Sequence, residues 1–140
     1  MTNKDLKIIG AMLYACEGTK ARRDFRTKNG YIYSIELTNS NPRIIKIFSK
    51  FLKKIIKADW NRVRGQVFLY PDLNEKDLIN FWSKNSEIPA IQFQKSIFLK
   101  AKKKFKTSPF GTFKLRYSCK QDFLRLESII EDVWRDARVD

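Results

Sequence analysis

One carboxylate in this chain stands where negative charge is out of place. The segment Ile9-Gly10-Ala11-Met12-Leu13-Tyr14-Ala15-Cys16-Glu17-Gly18 reads as an apolar helix, dense in small residues, that closes on Glu17 and stops at Gly18. Negative charge at a helix C-terminus opposes the macrodipole. Glu17 is therefore either an exposed terminal acid on a core helix or a ligand for a cation that removes the conflict. Gly10, Ala11 and Ala15 suit a helix that meets another backbone closely better than one that faces solvent.

A second group of residues carries the opposite charge. Arg22 and Arg26, then Arg62, Arg64 and Gln66, then Lys114 and Arg116 fall on the outward sides of strand candidates, with Lys20, Lys28 and the run from Lys100 to Lys106, including Lys102 and Lys103, at their edges. Arg and Gln hydrogen-bond to guanine and adenine edges in a major groove, and Lys neutralises phosphates. The plainer reading is a solvated strand face. The balance of 29 Lys+Arg against 15 Asp+Glu, a charge of +14, favours a nucleic-acid partner. From Lys120 onward acids outnumber bases, so the positive charge belongs to the sheet and loops and not to the last helix. Single-stranded RNA would instead require exposed aromatics for stacking. Phe25, Tyr31 and Tyr33 are the candidates, and their alternation with polar residues places them more economically in the core.

The chain contains no His, which removes Ser-His-Asp, Cys-His and zinc-hydrolase chemistry and leaves carboxylates, Lys, Tyr or Cys for any catalysis. Cys16 and Cys119 lie far apart in a Lys-rich chain with no leading apolar segment, which reads as an intracellular protein with reduced thiols. No apolar run approaches a membrane span, and nothing calls for an organic cofactor. At 140 residues and 43% hydrophobic, the chain has the size of one domain with one core.

The positioning elements follow from periodicity and caps. Leu6, Ile8, Ile9, Met12, Leu13 and Cys16 form a helical stripe from about residue 4 to 17, capped by Thr2 or Asn3. A turn at Lys28-Asn29-Gly30 joins the basic stretch after Lys20 to a strand from Tyr31 to Thr38, giving a hairpin. Asn41-Pro42 starts a helix that runs to about Lys57. Asn61 to Tyr70 alternates as a strand, with Val63, Val67 and Leu69 inward. Asn74 opens a short helix that Ile88-Pro89 ends, Gln94 to Leu99 reads as a strand, and the lysine run as a loop. Thr112 to Cys119 is a last strand with Phe113, Leu115, Tyr117 and Cys119 inward. A final helix from Lys120 to Ala137 turns Phe123, Leu126, Ile130, Val133 and Trp134 to one side. This order predicts an α+β domain with helices on one face of a largely antiparallel sheet.

The first helix resembles the defining motif of the LAGLIDADG homing endonucleases, with Ala11, Met12, Cys16, Glu17 and Gly18 at its second, third, seventh, eighth and final positions. The stretch from Ile35 through Asn39, Asn41-Pro42-Arg43 and Phe48 looks like the family's second strand and helix. Phe81-Trp82-Ser83-Lys84 through Ile88-Pro89, Gln92-Phe93 and Lys95 resembles a segment of small single-motif members. The similarity spans nearly the whole chain. Met12 stands where the family prefers Gly, and Ala15 replaces the usual first acid.

The resemblance implies a half-domain with a saddle-shaped antiparallel sheet, dimerising through Gly10, Ala11, Leu13 and Tyr14 and binding near-palindromic double-stranded DNA. It implies Mg²⁺ or Mn²⁺ at Glu17 and Gly18, a water-ordering role for Asn39 and a place for Arg43 near the scissile phosphate. The family's active-site lysine has Lys100, Lys102 and Lys120 as candidates. The expected activity is site-specific cleavage of both DNA strands. A DNA-binding regulator without cleavage, on the same fold, and an intron RNA-binding maturase are the alternatives.

Overall fold

The computed structural model describes residues 1–28, 30–100 and 109–139. Helix α1 (Asn3–Glu17) starts on a reciprocal cap, in which the Thr2 hydroxyl accepts from Asp5 N–H and the Asp5 carboxylate accepts from Thr2 N–H. Strands β1 (Arg22–Asp24) and β2 (Gly30–Ile32) form a small antiparallel hairpin. The expected turn includes Asn29, which lies outside the described residues.

The predicted Tyr31–Thr38 strand is two strands, because β3 (Ser34–Asn39) begins only after a break at Tyr33. Gly18 bridges Leu37 and Arg22 pairs with Ile32, so three residues on one side oppose four on the other. That one-residue excess is a bulge, and it separates the β1–β2 hairpin from the main sheet.

Helix α2 (Pro42–Phe51) is capped by Asn41, with Pro42 at its first position. It widens into a π-turn over Leu52–Ile56 and ends at Lys57 in the left-handed conformation (φ 57°), so the regular helix is shorter than the pattern suggests. Strand β4 (Val63–Leu69) follows a short 3₁₀ turn at Trp60–Arg62, and α3 (Glu75–Ser86) is capped by Asn74. The expected strand at 94–99 shrinks to β5 (Ile97–Phe98), which pairs in parallel with the end of β4. Strand β6 (Thr112–Ser118) runs into α4 (Lys120–Asp136).

Sheet order is β3-β6-β4-β5, antiparallel except at β5, and the protein is a mixed α+β structure with four α-helices among the described residues. Inward residues Ile35, Leu37, Val63, Val67, Leu69, Phe113, Leu115 and Tyr117 are buried against Tyr14, Phe48, Phe51, Trp82 and Phe123 from the four helices. Burial of this apolar surface, at about 25 cal/mol per Å², drives the assembly. On α4 the buried residues are Phe123, Leu126 and Ile129, while Ile130 and Val133 are half-buried. Trp134, expected inward, is 37% exposed. Among the described residues no helix is long and apolar enough to cross a membrane.

Candidate nucleic-acid interface and the acidic helix end

With the helices on one side, the alternate residues of three strands line up on the other. Register places Glu36, Arg116 and Arg64 in one row and Thr38, Lys114 and Gln66 in the next. The structure therefore brings Arg64, Gln66, Lys114 and Arg116 onto one face, as the alternation predicts, with Arg62 at its end.

Sequence reasoning missed Glu36 on that face, where it is 1% exposed. Its Oε2 accepts from Arg22 Nη1 at 2.8 Å, and its Oε1 lies 3.2 Å from Lys114 Nζ and 3.3 Å from Arg116 Nε. The Oε1 contacts are ion pairs without full hydrogen-bond geometry. Burial pushes the carboxyl up, but Arg22 and Lys114 outweigh it and hold Glu36 below the usual glutamate range. Only the pattern of one acid inside an apolar strand segment hinted at this role, since all three cations arrive from other strands.

The remaining basic residues differ in what they already hold. Arg62 donates to the Ser118 carbonyl and lies over the Tyr117 ring, and Arg64 Nη1 donates to the carbonyls of Asn61 (2.6 Å) and Val63 (3.0 Å). Gln66 Nε2 donates to the Lys95 carbonyl at 2.8 Å, which occupies one side of the amide expected to read bases. Arg26 is spent on Asp24, 2.9 Å away in the hairpin turn, and Lys28 is exposed beside it. Lys100 is exposed, whereas Lys102 and Lys103 lie outside the described residues. Phe25 (89% exposed) and Tyr31 (53%) are not core residues as expected, and only Tyr33 packs inward, edge-on to Phe123.

At the end of α1 the dipole conflict is met by the chain itself. Lys20 is not a free phosphate-binding cation, because its Nζ donates to the carbonyls of Tyr14 (3.1 Å) and Ala15 (3.0 Å) in the last helical turn. Gly18 has an extended backbone (φ −76°), so no sharp turn requires glycine. Its need is spatial, because a Cβ there would fall 2.3 Å from the Tyr14 ring. The Tyr14 hydroxyl donates to the Thr19 carbonyl and accepts from Glu36 N–H at 3.2 Å, locking the helix end to β3. Burial pushes this hydroxyl up to about 12.

Glu17 itself is exposed, and among the described residues no three His, Cys, Asp or Glu side chains gather to hold a metal ion. One chain thus offers a single carboxylate beside the Gly18 main chain, which is half of a donor set and fits a divalent ion only if a second copy supplies the other half. Asn39 ends β3 two residues beyond the Gly18 bridge partner, but its Oδ1 accepts from Asn41 N–H at 2.8 Å. Arg43 lines a groove with Met1, Asn3 and Leu6 at the opposite end of α1, so it does not join Glu17.

Of the dimer seam expected at Gly10, Ala11, Leu13 and Tyr14, three residues are already covered by the chain's own core. Gly10, Ala11 and Tyr14 are buried within the chain, with Gly10 against the Phe51 ring, and Leu13 is half-buried. The outward face of α1 instead carries Ile8, 41% exposed, with half-buried Ile9 and exposed Cys16, while Met12 packs against the core. No family model, no curated protein and no solved structure matches the chain.

Proposed function

We propose that two copies of this chain associate through the outward face of α1, lay their polar sheet faces on duplex DNA, and cleave it as a LAGLIDADG-type homing endonuclease. The observation that carries the reading is the segregation of the sheet: among the described residues the α-helices pack on one face, and Arg62, Arg64, Gln66, Lys114 and Arg116 share the other. An antiparallel sheet with such a face has the size and donors to enter a major groove.

Glu17 is the one acid at the helix end, and in a symmetric pair two such acids face each other near the DNA axis. Mg²⁺ or Mn²⁺ between them, held by Glu17 and the Gly18 main chain of each copy, would supply Lewis acidity and an activated water. The chain's own contribution is positional. Tyr14 and Lys20 fix the last turn, so Glu17 is presented from a rigid helix end.

A second reading, a regulator that binds DNA without cutting, is favoured by Lys20, which already satisfies the helix end without metal. The separating experiment selects bound duplexes from a random library and incubates them with Mg²⁺ or Mn²⁺. Cleavage by the natural chain and its loss in Glu17→Gln, with binding kept, is the expected result. Tight binding to a palindromic site with no cleavage in either metal moves the function to the regulator. Tighter binding to single-stranded RNA than to duplex DNA moves it to the maturase class, for which the exposed Phe25 and Tyr31 would serve as stacking groups.

A further inference from the structure

Like charges placed directly opposite each other on adjacent strands destabilise a sheet, and the register sets Arg64 against Arg116. Arg62 joins them at the strand ends. The three guanidiniums line one concavity of about 400 Å³, together with Gln94 and Ser118. Among the described residues no carboxylate lines it. Arg116 Nε lies 3.3 Å from Glu36 Oε1, which also pairs with Lys114, and among the described residues neither Arg62 nor Arg64 has an acidic partner.

The posture of these side chains decides what would satisfy them. Arg64 gives Nη1 to two carbonyls of its own strand end and Arg62 is held by the Ser118 carbonyl, so both lie along the sheet with part of each guanidinium left for the cavity. A pinned arginine does not reach out to a base edge in a groove. It is, however, pre-organised for a compact oxyanion, because its rotamer entropy is already spent on the fold. Charge-assisted hydrogen bonds from several guanidiniums to one tetrahedral anion would also relieve the Arg64–Arg116 repulsion.

We propose that the Arg62–Arg64–Arg116 concavity is a binding site for a phosphate-type oxyanion. The source of that phosphate, a nucleic-acid backbone, rests on the DNA reading above, whereas the site itself does not. On this assignment Arg64 and Arg62 anchor the partner and do not read its sequence, leaving base discrimination to neighbours such as Gln66.

The test measures thermal unfolding of the full chain against increasing inorganic phosphate, at ionic strength held constant with NaCl. The natural chain should gain stability with phosphate in a saturable manner. Arg64→Gln should bind phosphate about tenfold more weakly, the factor of roughly one lost charge-assisted hydrogen bond, and in chloride alone should be at least as stable as the natural chain. Arg62→Gln provides an independent second variant. A phosphate response that is absent, or identical in all three proteins, overturns the site.

The source is separated by competition. Phosphate should weaken duplex binding by the natural chain beyond the matched chloride control and leave Arg64→Gln unaffected. Stabilisation by phosphate without competition overturns the nucleic-acid source in favour of a free anion. Stabilisation by phosphate with no duplex binding at all removes the DNA reading and leaves the site standing, while duplex binding with no phosphate response does the reverse.

Discussion

The two faces of α1 are built from opposite kinds of residue. In its middle turns the face turned to the core uses Gly10 and Ala11, which have little or no side chain, with Leu6 one turn before them and the ring of Tyr14 one turn after. The face turned outward uses Ile8 and Ile9, bulky aliphatics that a core helix ordinarily buries. The inversion has a cause in the neighbours. Phe51 fills the space over Gly10, and Tyr14 stacks on Phe48 with centroids 5.8 Å apart, so the aromatics of α2 supply the volume that α1 omits. From Ile8 to Cys16 the helix carries no charged residue, and a stretch apolar on all sides is expected to be covered on all sides. The inward face is therefore committed to folding, and the outward face is the one that the proposed association would cover.

The largest effect that tests this division is steric. A Cβ at Gly10 would lie 2.1 Å from Cγ of Phe51, and the ring is fully buried between packed helices. Gly10→Leu should cost about 3 kcal/mol or more through overpacking, seen as lost near-UV and far-UV circular dichroism at 25 °C or a sharply lowered melting temperature. A variant that stays folded at natural stability would show that the inward face is not the packed one.

Much of the fold was legible and this inversion was not, for a physical reason. Caps are local, and Thr2 with Asp5, Asn41 with Pro42, and Asn74 were readable because their partners lie within a turn. Strand faces were readable because alternation in β4 and β6 involves one residue at a time. In α1 both faces are apolar, so periodicity locates the helix but cannot choose its inward side; the choice depends on Phe51 and Phe48, some forty positions away. Of the candidate site, the basic sheet face was legible. Burial of Glu36 under Arg22, Lys114 and Arg116, and the use of Lys20 as a helix cap, depend on tertiary pairing that no local pattern carries.

A smaller effect sharpens the inward side through protonation. Tyr14 is 2% exposed and its hydroxyl is raised from an ordinary value near 10 to about 12 by burial. Between those values the folded chain keeps a proton that the unfolded chain has released, so Tyr14 makes stability fall as pH rises from 10 to 12. Tyr14→Phe should cost about 1–2 kcal/mol at pH 7, where the Thr19 and Glu36 main-chain groups lose their partner, and should flatten that alkaline loss. Denaturant midpoints of both proteins at pH 8 and pH 11 measure it. Parallel losses in the two proteins would place the Tyr14 hydroxyl outside the buried lock.

The smallest effect on folding belongs to the outward face, and there the readout is assembly. Ile9→Glu and Ile8→Glu place charge on a surface that is exposed or half-exposed in one chain, so each should change single-chain stability by no more than about 0.5 kcal/mol. If a second copy covers this face, burying an unpaired carboxylate in the seam is costly, and both variants should sediment as monomers where the natural chain sediments as a dimer. The natural chain should also show a melting temperature that rises with its own concentration, as a dissociating dimer does, and the variants should not. Cys16 gives an independent check, because its exposed thiol should be protected from alkylation in the natural dimer and free in Ile9→Glu. A natural chain that is monomeric both alone and on DNA, with Cys16 equally reactive in all three proteins, would mean that the aliphatic face of α1 is not covered by a second copy.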